Sequence, residues 1–596
     1  MNVNDIVNHP IRLPIKGRLL NRIVTGIAGL QPLIAIYDSW LSSARDDRLP
    51  QGEQFLEHTL SALNASLAWQ DATALQQIPA EGPLIVVANH PLGALEGMLL
   101  TRELLKFRSD TKVLTNEMLL RIPEFADLFI GLDVLSGNAS RKNAKGIRAA
   151  CRHLNEAGAL LIFPAGLVAS FRPRKFCIED HEWNSLVGWL ARRYRATCLP
   201  VRIDARNSLS FYLAGLVHKR LRTFLLPREL ANKRDCVVRA SAGELLIARD
   251  IDQLGDADDI TRYLRLCTDL LAPISDVASI PAPDRAVATI AADIEAKELQ
   301  QQLASLESYR LVDDDVFAVY CAPYDALGCF MHQIAVERER TFRVVDEGTG
   351  QELDSDNFDS YYWHLWAWNK KKQEVVGAYR VGKIDEIIDE HGMDCLYSST
   401  VYNFDQSFIS QLGNAIEVGR SFVTLPYQRH PKSLDLLWRG IGAFMVRNPR
   451  YHTLFGGVSI SQQYSTLARA FLADAMMTNF SVSQEWQQHV RPQAPLRVSG
   501  KLWTPDVLAS LGNIAVINKL LGNLDHGKRI PILLRHYLAL NGRFASFAVN
   551  TGFNHSLDGL VIVDLREAPV KYLNRYLGKE GSESFLRRWR QNVEAA

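Results

Sequence analysis

The sequence predicts an α/β protein of two domains, and three observations carry this prediction. The chain has 596 residues, more than one domain usually holds, and its 47% hydrophobic and 22% charged residues are an ordinary globular composition. In the first half, short apolar runs typical of strands alternate with helical segments. Three prolines within residues 272–283 then interrupt the pattern, so we place the domain boundary near residue 280.

The elements of the first half follow from hydrophobic periodicity. Buried strands are predicted where short β-branched runs occur, at residues 84–88, 112–115, 159–163 and 197–203. Helices are predicted at 145–157 and 184–194. We assign residues 1–70 to an N-terminal helical segment and 71–280 to the first α/β domain.

The second domain, residues 281–596, is predicted as a mixed sheet with helices. It begins with a helix over 286–307 that is rich in Ala, Glu, Gln and Leu. Apolar segments then follow at 373–380, 415–424, 438–447 and 453–460. The tail from residue 504 is mostly helical before one more strand at 559–564. Three tryptophans are assigned to core packing: Trp363, Trp366 and Trp368.

Charge and cysteine usage exclude several function classes. A net charge of +1 argues against a nucleic-acid binder. The eight cysteines are scattered, with no Cys-x-x-Cys and no histidine cluster, so we expect free thiols, no metal site and a cytoplasmic location. The apolar stretch 23–37 is too short to span a bilayer and follows three basic residues. It is either an interfacial membrane anchor or a helix packed on its own domain.

A histidine stands at the end of the first predicted strand of this domain. Residues 89–97 read Asn-His-Pro-Leu-Gly-Ala-Leu-Glu-Gly, so His90 follows the strand and Glu96 lies about one turn into the next helix. A carboxylate that orients an imidazole fixes its tautomer and stabilises the imidazolium, which makes the histidine a general base. A histidine that only caps the helix is the alternative, and the motifs that follow in order favour catalysis.

Two further motifs follow in the first half. Arg141-Lys142-Asn143 comes first, and the turn Phe163-Pro164-Ala165-Gly166 ends the strand predicted at 159–163. Acyl transfer to a hydroxyl fits this set, with His90 as the base and Glu96 as its orienting group. The turn then supplies backbone N–H groups, and Arg141 or Lys142 holds a phosphate on the acceptor.

These motifs resemble the signature of the glycerolipid and lysophospholipid acyltransferases: His-x4-Asp, an arginine segment, a Phe-Pro-Glu-Gly-like turn and a Pro-containing strand. The resemblance covers residues 70–270. It implies an O-acyltransferase with catalytic His90 and Glu96, and with Arg141 and the turn 163–166 at the substrate. The spacing here is His-x5-Glu and Ala165 replaces the usual acid, which speaks against glycerol 3-phosphate as the acceptor.

Charged residues mark the second half. Arg338, Arg340 and Arg343 lie in a predicted helix, Asp356 and Asp359 in a carboxylate-rich turn, and Arg380, Glu417 and Arg420 in predicted strands. An amine-binding site fits this set, because Asp356 and Asp359 attract a cationic amine and Glu417 accepts its proton. Arg420 points to the opposite face from Glu417 if the strand is fully extended, so we interpret it as a structural ion-pair partner.

The order of these residues resembles the hemolysin-like branch of the N-acyltransferases related to the Gcn5 fold. It is similar to the N-acyltransferases of ornithine-lipid synthesis and, more distantly, to acyl-homoserine-lactone synthases. The resemblance covers residues 325–470. It implies a catalytic Glu417 and a substrate-binding set of Arg343, Asp356, Asp359, Arg380 and Arg420.

The acyl donor is predicted from a missing motif. Acetyl-CoA enzymes of this fold carry Gln/Arg-x-x-Gly-x-Gly/Ala, whose N–H groups cradle the pyrophosphate. The matching place reads Gln-Arg-His-Pro-Lys-Ser over 428–433, without glycine, and Pro431 removes a donor. We therefore expect no bound cofactor and an acidic acyl carrier protein as the donor, docked by Arg429, Lys432 and Arg439.

Together the two halves resemble the bifunctional ornithine-lipid synthases. The resemblance implies that the second domain N-acylates an amino acid, most simply ornithine, with a 3-hydroxyacyl group. The first domain then O-acylates the lyso-aminolipid at the inner face of the cytoplasmic membrane. Glycine, glutamine or lysine meets the same chemical demands. The alternatives are a lysophospholipid acyltransferase with an accessory second domain and a non-enzymatic lipid-binding platform.

Overall fold

The computed structural model describes residues 9–12, 24–43, 50–133, 143–173, 176–272, 287–498, 500–525 and 527–594. The chain forms two compact units, Met1–Ser275 with Leu502–His526, and Asp276–Lys501 with Gly527–Ala596. The predicted boundary near residue 280 lies outside the described residues. Among the helices that the structure describes, none is long and apolar enough to cross a bilayer.

A mixed sheet forms the centre of the first unit. Within the described residues it has seven strands in the order β1-β9-β8-β2-β5-β3-β4, and only β8 and β9 pair antiparallel. All five residues of β2 are buried, as expected for a parallel strand covered on both faces. The four strands predicted in this half are confirmed as β2, β3, β5 and β8. The strands are β1 (Ser66–Asp71), β2 (Leu84–Ala88), β3 (Lys112–Asn116), β4 (Phe129–Leu132), β5 (Ala159–Ile162), β6 (Ser170–Arg172), β7 (Cys177–Glu179), β8 (Thr197–Asp204) and β9 (Val237–Ala242).

Helices cover this sheet, and β6 and β7 form a separate hairpin beside it. The helices predicted at 145–157 and 184–194 are α4 and α5. The helices are α1 (Leu30–Leu41), α2 (Gln51–Leu63), α3 (Ala94–Leu105), α4 (Ala144–Asn155), α5 (Leu186–Arg193), α6 (Leu209–Val217), α7 (Lys219–Ala231), α8 (Ala248–Ile251) and α9 (Ala257–Asp269).

The N-terminal helix α1 packs on its own unit. Ile36, Tyr37 and Trp40 join the core that contains Phe55 of α2. The Tyr37 hydroxyl and the Trp40 indole N–H both donate to the buried carboxylate of Glu124. This face of the stretch predicted as either an anchor or a packed helix is therefore buried in protein.

A larger sheet forms the second unit. The described residues give eight strands in the order β10-β11-β12-β13-β15-β16-β19-β18, of which only β15 and β16 pair parallel. The first strands are β10 (Arg310–Asp313), β11 (Phe317–Pro323), β12 (Trp363–Asn369), β13 (Glu374–Lys383), β14 (Tyr402–Phe404), β15 (Ala415–Val423), β16 (Thr453–Ile460) and β17 (Val490–Pro492). The helices that accompany them are α10 (Ala296–Ser305), α11 (Tyr324–Leu327), α12 (Cys329–Val344), α13 (Ile384–His391), α14 (Gln406–Leu412), α15 (Ser433–Arg447), α16 (Thr466–Asn479) and α17 (Gln484–Gln487).

Three details differ from or extend the sequence prediction here. The helix predicted over 286–307 is helical only as α10, and the apolar segment 438–447 lies in α15 rather than in the sheet. The strand β12 was not predicted, but Trp366 and Trp368 on it are buried in the core as expected.

The end of the chain contributes to both units. Helices α18 (Pro505–Ala509) and α19 (Ile514–Leu524) fall within the first unit, although their sequence position led us to assign them to the second domain. The second unit is completed by α20 (Ile532–Ala539), β18 (Arg543–Asn550), β19 (Ser556–Asp564), α21 (Val570–Leu577) and α22 (Lys579–Glu594). The strand predicted at 559–564 is confirmed as β19.

The sheet of the second unit opens between β15 and β16. The two strands pair only from Ala415 and Thr453 to Glu417 and Phe455. Beyond this point β15 continues along β13, while β16 continues along β19. The resulting wedge lies beside Arg420 on one strand and Ser459 on the other.

Candidate active sites

In the first unit, the backbone of His90 is fixed from two sides. The side chain of the preceding Asn89 donates to the carbonyl of Ile203 on β8 (2.9 Å) and accepts from its N–H (2.6 Å). The N–H of His90 donates to the carboxylate of Asp180 (3.1 Å), and its carbonyl accepts from the N–H of Ala169 (2.8 Å). The imidazole is therefore held at the end of the central strand.

Glu96 lies beside the imidazole and is fully buried. Its Oε1 accepts the N–H groups of Leu92 (2.9 Å) and Gly93 (2.8 Å), which closes the turn before α3. The same oxygen lies 3.0 Å from Nδ1 of His90, although the two atoms are not aligned for a hydrogen bond. Catalytic hydrogen bonds are often poorly aligned without substrate and tighten when it binds. The pair has the composition and proximity of a general base with its orienting carboxylate.

The Phe163–Gly166 turn lies beside His90. The rings of Phe163 and His90 have centroids 4.7 Å apart. Gly166 has φ 62°, a left-handed conformation that favours glycine, and its N–H donates to the carbonyl of Phe163 (3.0 Å). The carbonyl of Pro164 accepts the N–H of Asn184 (3.0 Å), and Ala165 is buried. Arg141 and Lys142 lie outside the described residues.

Asp180 is a site residue that the sequence analysis missed. Burial raises the pKa of its carboxyl, and the N–H groups of His90 and Trp183 oppose that shift. Nothing in the local pattern of residues 176–183 distinguishes it from a surface acid. Its role depends on the fold, because it reaches the His90 backbone from ninety residues away in sequence.

Two arginines and a histidine form a cationic cluster next to Asp180. A guanidinium nitrogen of Arg222 lies 3.2 Å from Nε2 of His181, and one of Arg172 lies 3.5 Å from Nδ1. Arg222 is only 6% exposed, and no carboxylate of the described residues is within ion-pair distance of it. Burial, followed by the charge of Arg172, lowers the pKa of Arg222. Arg172 also lies 3.5 Å from Oε1 of Glu179, so Arg222 is the arginine of this pair without a carboxylate partner among the described residues.

In the second unit, three arginines and three aspartates form a closed ring. Each arginine lies between two aspartates. Arg338 pairs with Asp359 (3.2 Å) and approaches Asp354 (3.9 Å), and Arg380 pairs with Asp359 (3.2 Å) and Asp356. Arg420 completes the ring with Asp356 (3.2 Å) and Asp354 (2.9 Å). Burial alone raises the pKa of Asp359, but Arg338 and Arg380 hold it well below its usual range. The ring joins α12, β13 and β15 through the turn that carries the aspartates.

The ring changes the interpretation of several predicted residues. Asp356 and Asp359 are engaged by guanidinium groups rather than left open for an amine. Arg420 is a structural ion-pair partner, as interpreted from the sequence, and its partners are Asp354 and Asp356. Arg343 lies outside the ring, where it donates to Glu339 (2.6 Å).

Arg338, not Arg343, is the helix arginine that faces this site. Helical periodicity carries the signal, because Arg338 is four residues from both Ile334 and Phe342, which are buried. Arg338 is itself only 1% exposed. Arg343 falls off this face, so the position of the apolar residues distinguishes the two arginines.

Glu417 is buried, and both of its oxygens are occupied. Oε1 accepts the N–H of Ser398 (2.7 Å) and the Ser398 hydroxyl, and Oε2 accepts the N–H of Tyr397 (3.2 Å) and the Tyr362 hydroxyl. The carboxylate therefore anchors the loop at Tyr397 and Ser398. These contacts leave Glu417 poorly placed to receive a proton from a substrate amine.

A different acid borders the wedge between β15 and β16. Glu347 is 6% exposed and accepts the hydroxyl of Ser459 (3.1 Å). Burial raises the pKa of Glu347 to about 8, the charge of Asp558 adds to the shift, and Ser459 and Arg420 oppose it. Asp558 on β19 is also buried and accepts from Asn550 (2.7 Å) and Ser556 (2.8 Å). Neither acid was predicted as a site residue, because both stand outside the sequence motifs described above.

The predicted donor-docking residues lie at the start of α15. Arg429 and Lys432 are exposed in the loop before this helix, and Arg439 is half-buried within it. Tyr427 and the Ser433 hydroxyl close the loop by a hydrogen bond between them (2.9 Å). Two exposed cations therefore stand before the first turn of the helix.

Comparison with protein families defines the class of this molecule. Residues 60–274 match the acyltransferase family model, and residues 338–439 match the acetyltransferase (GNAT) domain model. The first match contains the His90 and Phe163 motifs, and the second contains the arginine–aspartate ring. The chain is an acyltransferase, with a mixed α/β fold in both units.

Individual relatives match different lengths of the chain. A glycine N(alpha)-acyltransferase of Phocaeicola vulgatus is 28% identical over 293 residues, which is 47% of this chain and 89% of the relative. A lyso-glycine lipid O-acyltransferase of the same organism is 28% identical over 178 residues, 30% of this chain and 61% of the relative. An L-ornithine N(alpha)-acyltransferase of Agrobacterium fabrum is 24% identical over 264 residues, 43% of this chain and 82% of the relative.

Proposed function

We propose that this chain makes a diacylated amino-acid lipid by two successive acyl transfers. The second unit transfers a 3-hydroxyacyl group to the α-amine of an amino acid, and the first unit acylates the new 3-hydroxyl. The observation that supports this most strongly is the presence of both kinds of site in one chain. Relatives named for the N-acylation and for the O-acylation match it separately.

In the first transfer, the acceptor amine must lose a proton. Glu347 is the best candidate for the base, since its pKa of about 8 lies near the operating pH, where general bases are most effective. A second acid, Asp558, is buried near Glu347 and accepts from Asn550 and Ser556. The proposed acceptor is ornithine, which the resemblance of the two halves implies, and glycine is the alternative that the relatives raise.

In the second transfer, the acceptor is the lyso-aminolipid with its free carboxylate. His90 removes the proton of the hydroxyl, and Glu96 stabilises the imidazolium that forms. Arg222, which is buried and has no carboxylate of the described residues within ion-pair distance, supplies donors for a carboxylate. We propose that it holds the acceptor headgroup while the hydroxyl faces His90.

The proposed donor is an acyl carrier protein that docks on Arg429, Lys432 and Arg439. Acyl carrier proteins are acidic, and exposed cations at a helix start attract an acidic partner. We propose that the reactions take place at the inner face of the cytoplasmic membrane, since both the intermediate and the product are lipids. No resident cofactor is part of this scheme.

Lipid mass spectrometry in a host without aminolipids tests the scheme. We expect a diacylated aminolipid from the wild type, its monoacyl precursor from His90→Ala, and neither lipid from Glu347→Gln. The mass of the headgroup identifies the amino acid. Remodelled phospholipids that disappear with His90→Ala, without any aminolipid, would instead support a lysophospholipid acyltransferase with an accessory second domain. Unchanged lipids in every strain would support a non-enzymatic role.

A further inference from the structure

The helices α6 and α7 expose a continuous set of large apolar side chains. On α6 the exposed positions follow helical spacing and share one face, and the set continues at the start of α7. Leu209 is 73% exposed and Val217 is 77% exposed, so these side chains project into solvent. The exposed residues are Leu209, Leu213, Leu216, Val217, Leu221 and Phe224.

The other face of α6 is fully used inside the unit. Phe211 and Tyr212 are buried in a small core, against which Phe171 of β6 and Leu226 of α7 also pack. The exposed leucines are therefore not needed to hold α6 in place. Six large apolar side chains that no described residue covers mark a site of interaction.

The β6–β7 hairpin adds a second apolar projection. Phe176 is 86% exposed, the largest exposure among the big apolar side chains in the described residues. Its ring packs edge-on against Phe171, with centroids 5.5 Å apart. Since Phe171 packs on the same small core as α6, the hairpin and the helix belong to one surface.

This surface is connected directly to the His90 loop. The side-chain amide of Asn207, just before α6, donates to the carbonyls of Pro91 and Leu92 (3.2 Å each). A Cβ placed on Gly93 would lie 3.2 Å from Leu226 of α7, so the helix pair lies against the loop between His90 and Glu96. A partner that covers α6 is therefore next to the catalytic histidine.

The charge of this segment indicates the chemistry of the partner. Residues 208–231 contain four basic residues, of which Arg222 is buried, and one acid, Glu229, which is buried and bonded to Ser208. Lys219 and Arg220 stand directly after the apolar residues of α6 in the sequence. Apolar side chains next to lysine and arginine are typical of helices that lie in the surface of an anionic bilayer.

We propose that α6, the start of α7 and Phe176 form the surface by which the first unit lies on an anionic lipid bilayer. The acceptor lipid then reaches His90 from the membrane, with its acyl chain still in the bilayer. This deepens the proposed function, because it rests on a lipid acceptor. It is independent of which amino acid the lipid carries.

Vesicle co-sedimentation of the full chain tests the proposal. The probe is vesicles of phosphatidylethanolamine with phosphatidylglycerol, compared with vesicles of phosphatidylcholine alone. We expect the wild type to bind the anionic vesicles, and Leu213→Asp and Val217→Asp each to weaken binding by about tenfold or more, the loss that one buried leucine or valine represents. Ile532→Asp is the matched control, because Ile532 is 65% exposed in the second unit. Equal binding by all variants would overturn the proposal.

Two further measurements distinguish membrane binding from the catalytic scheme and from self-association. His90→Ala must still bind vesicles, so a failure of the catalytic scheme leaves the membrane test intact. Leu213→Asp must retain O-acylation of a short-chain acceptor in solution and lose it for an acceptor held in vesicles. If sedimentation velocity instead finds a dimer that Leu213→Asp dissociates, a second copy covers α6 and the membrane assignment is wrong.

Discussion

Nδ1 of His90 lies 3.0 Å from Oε1 of Glu96, and that oxygen also accepts the N–H groups of Leu92 and Gly93. One carboxylate thus shapes the turn and faces the histidine that the turn carries. Its charge stabilises an imidazolium, which forms only when His90 takes a proton. The arrangement links the conformation of the loop to the position of its histidine.

Glu96→Gln should therefore slow O-acylation without unfolding the turn. The amide oxygen still accepts the two N–H groups, but it has no charge to stabilise the imidazolium, so we expect a rate loss of about 10²- to 10⁴-fold. The measurement is O-acylation of the purified lyso-aminolipid, with the melting temperature recorded in parallel. Glu103→Gln on the same helix is the control, because Glu103 is half-buried away from His90 and pairs with the exposed Lys106. A fully active Glu96→Gln would exclude the orienting role.

The elements that could be predicted are those with a strong local pattern. The strand 84–88 and the histidine after it were found because a fully buried parallel strand is a continuous apolar run. The predicted substrate-binding set contains Arg343 and not Arg338, although the apolar face of α12 distinguishes the two arginines. There the information was present in the sequence as helical periodicity.

Other features depend on contacts between distant segments, and no local pattern records them. The sequence pattern around Glu417 indicates a catalytic carboxylate. In the structure, however, Tyr397 and Ser398, from another part of the chain, occupy its oxygens. Asp180 acquires its role only when the fold brings it to the His90 backbone. Likewise, α19 lies between segments of the second unit in the sequence, and only tertiary packing places it in the first.

Glu417→Ala should destabilise the second unit. The substitution leaves the N–H groups of Tyr397 and Ser398 and two hydroxyls without their acceptor, so we expect a loss of about 3 kcal/mol in the free energy of unfolding. Chemical denaturation followed by tryptophan fluorescence measures this loss. Glu390→Gln, at an acid that is 72% exposed, should change stability little. Unchanged stability together with abolished N-acylation would restore Glu417 as the catalytic base.

The ion-pair ring should respond very differently to two arginine substitutions on α12. Arg338→Gln removes one ion-pair partner of the buried Asp359. We expect the free energy of unfolding to fall by about 3 to 5 kcal/mol. Arg340→Gln removes an arginine whose side chain is 31% exposed, so its cost should be at most about 1 kcal/mol. The difference between the two unfolding free energies is the measurement. Equal costs would mean that the ring does not organise the second unit.

The buried Glu347 should make the stability of the second unit fall as the pH rises. Its pKa is raised from 4.5 to about 8, chiefly by burial. The folded state therefore binds a proton that the unfolded state has already released between these two values. The contribution of this proton to the free energy of unfolding is fully present below pH 4.5. It is lost as the pH rises through about 8, and the loss reaches about 5 kcal/mol.

Glu347→Gln removes the titrating carboxyl group. It should therefore flatten the pH dependence of the free energy of unfolding between pH 4.5 and about 8. The measurement is the difference in unfolding free energy between wild type and variant at pH 5, 6, 7 and 8, which cancels the groups that both proteins share. Asp558 and Arg420 remain in both, so their own titrations enter the difference only through their interaction with Glu347. Glu390→Gln, at an exposed acid, should show no such trend. A difference that does not change with pH would mean that Glu347 has an ordinary pKa, and the proposal that it accepts the proton of the amine would lose its support.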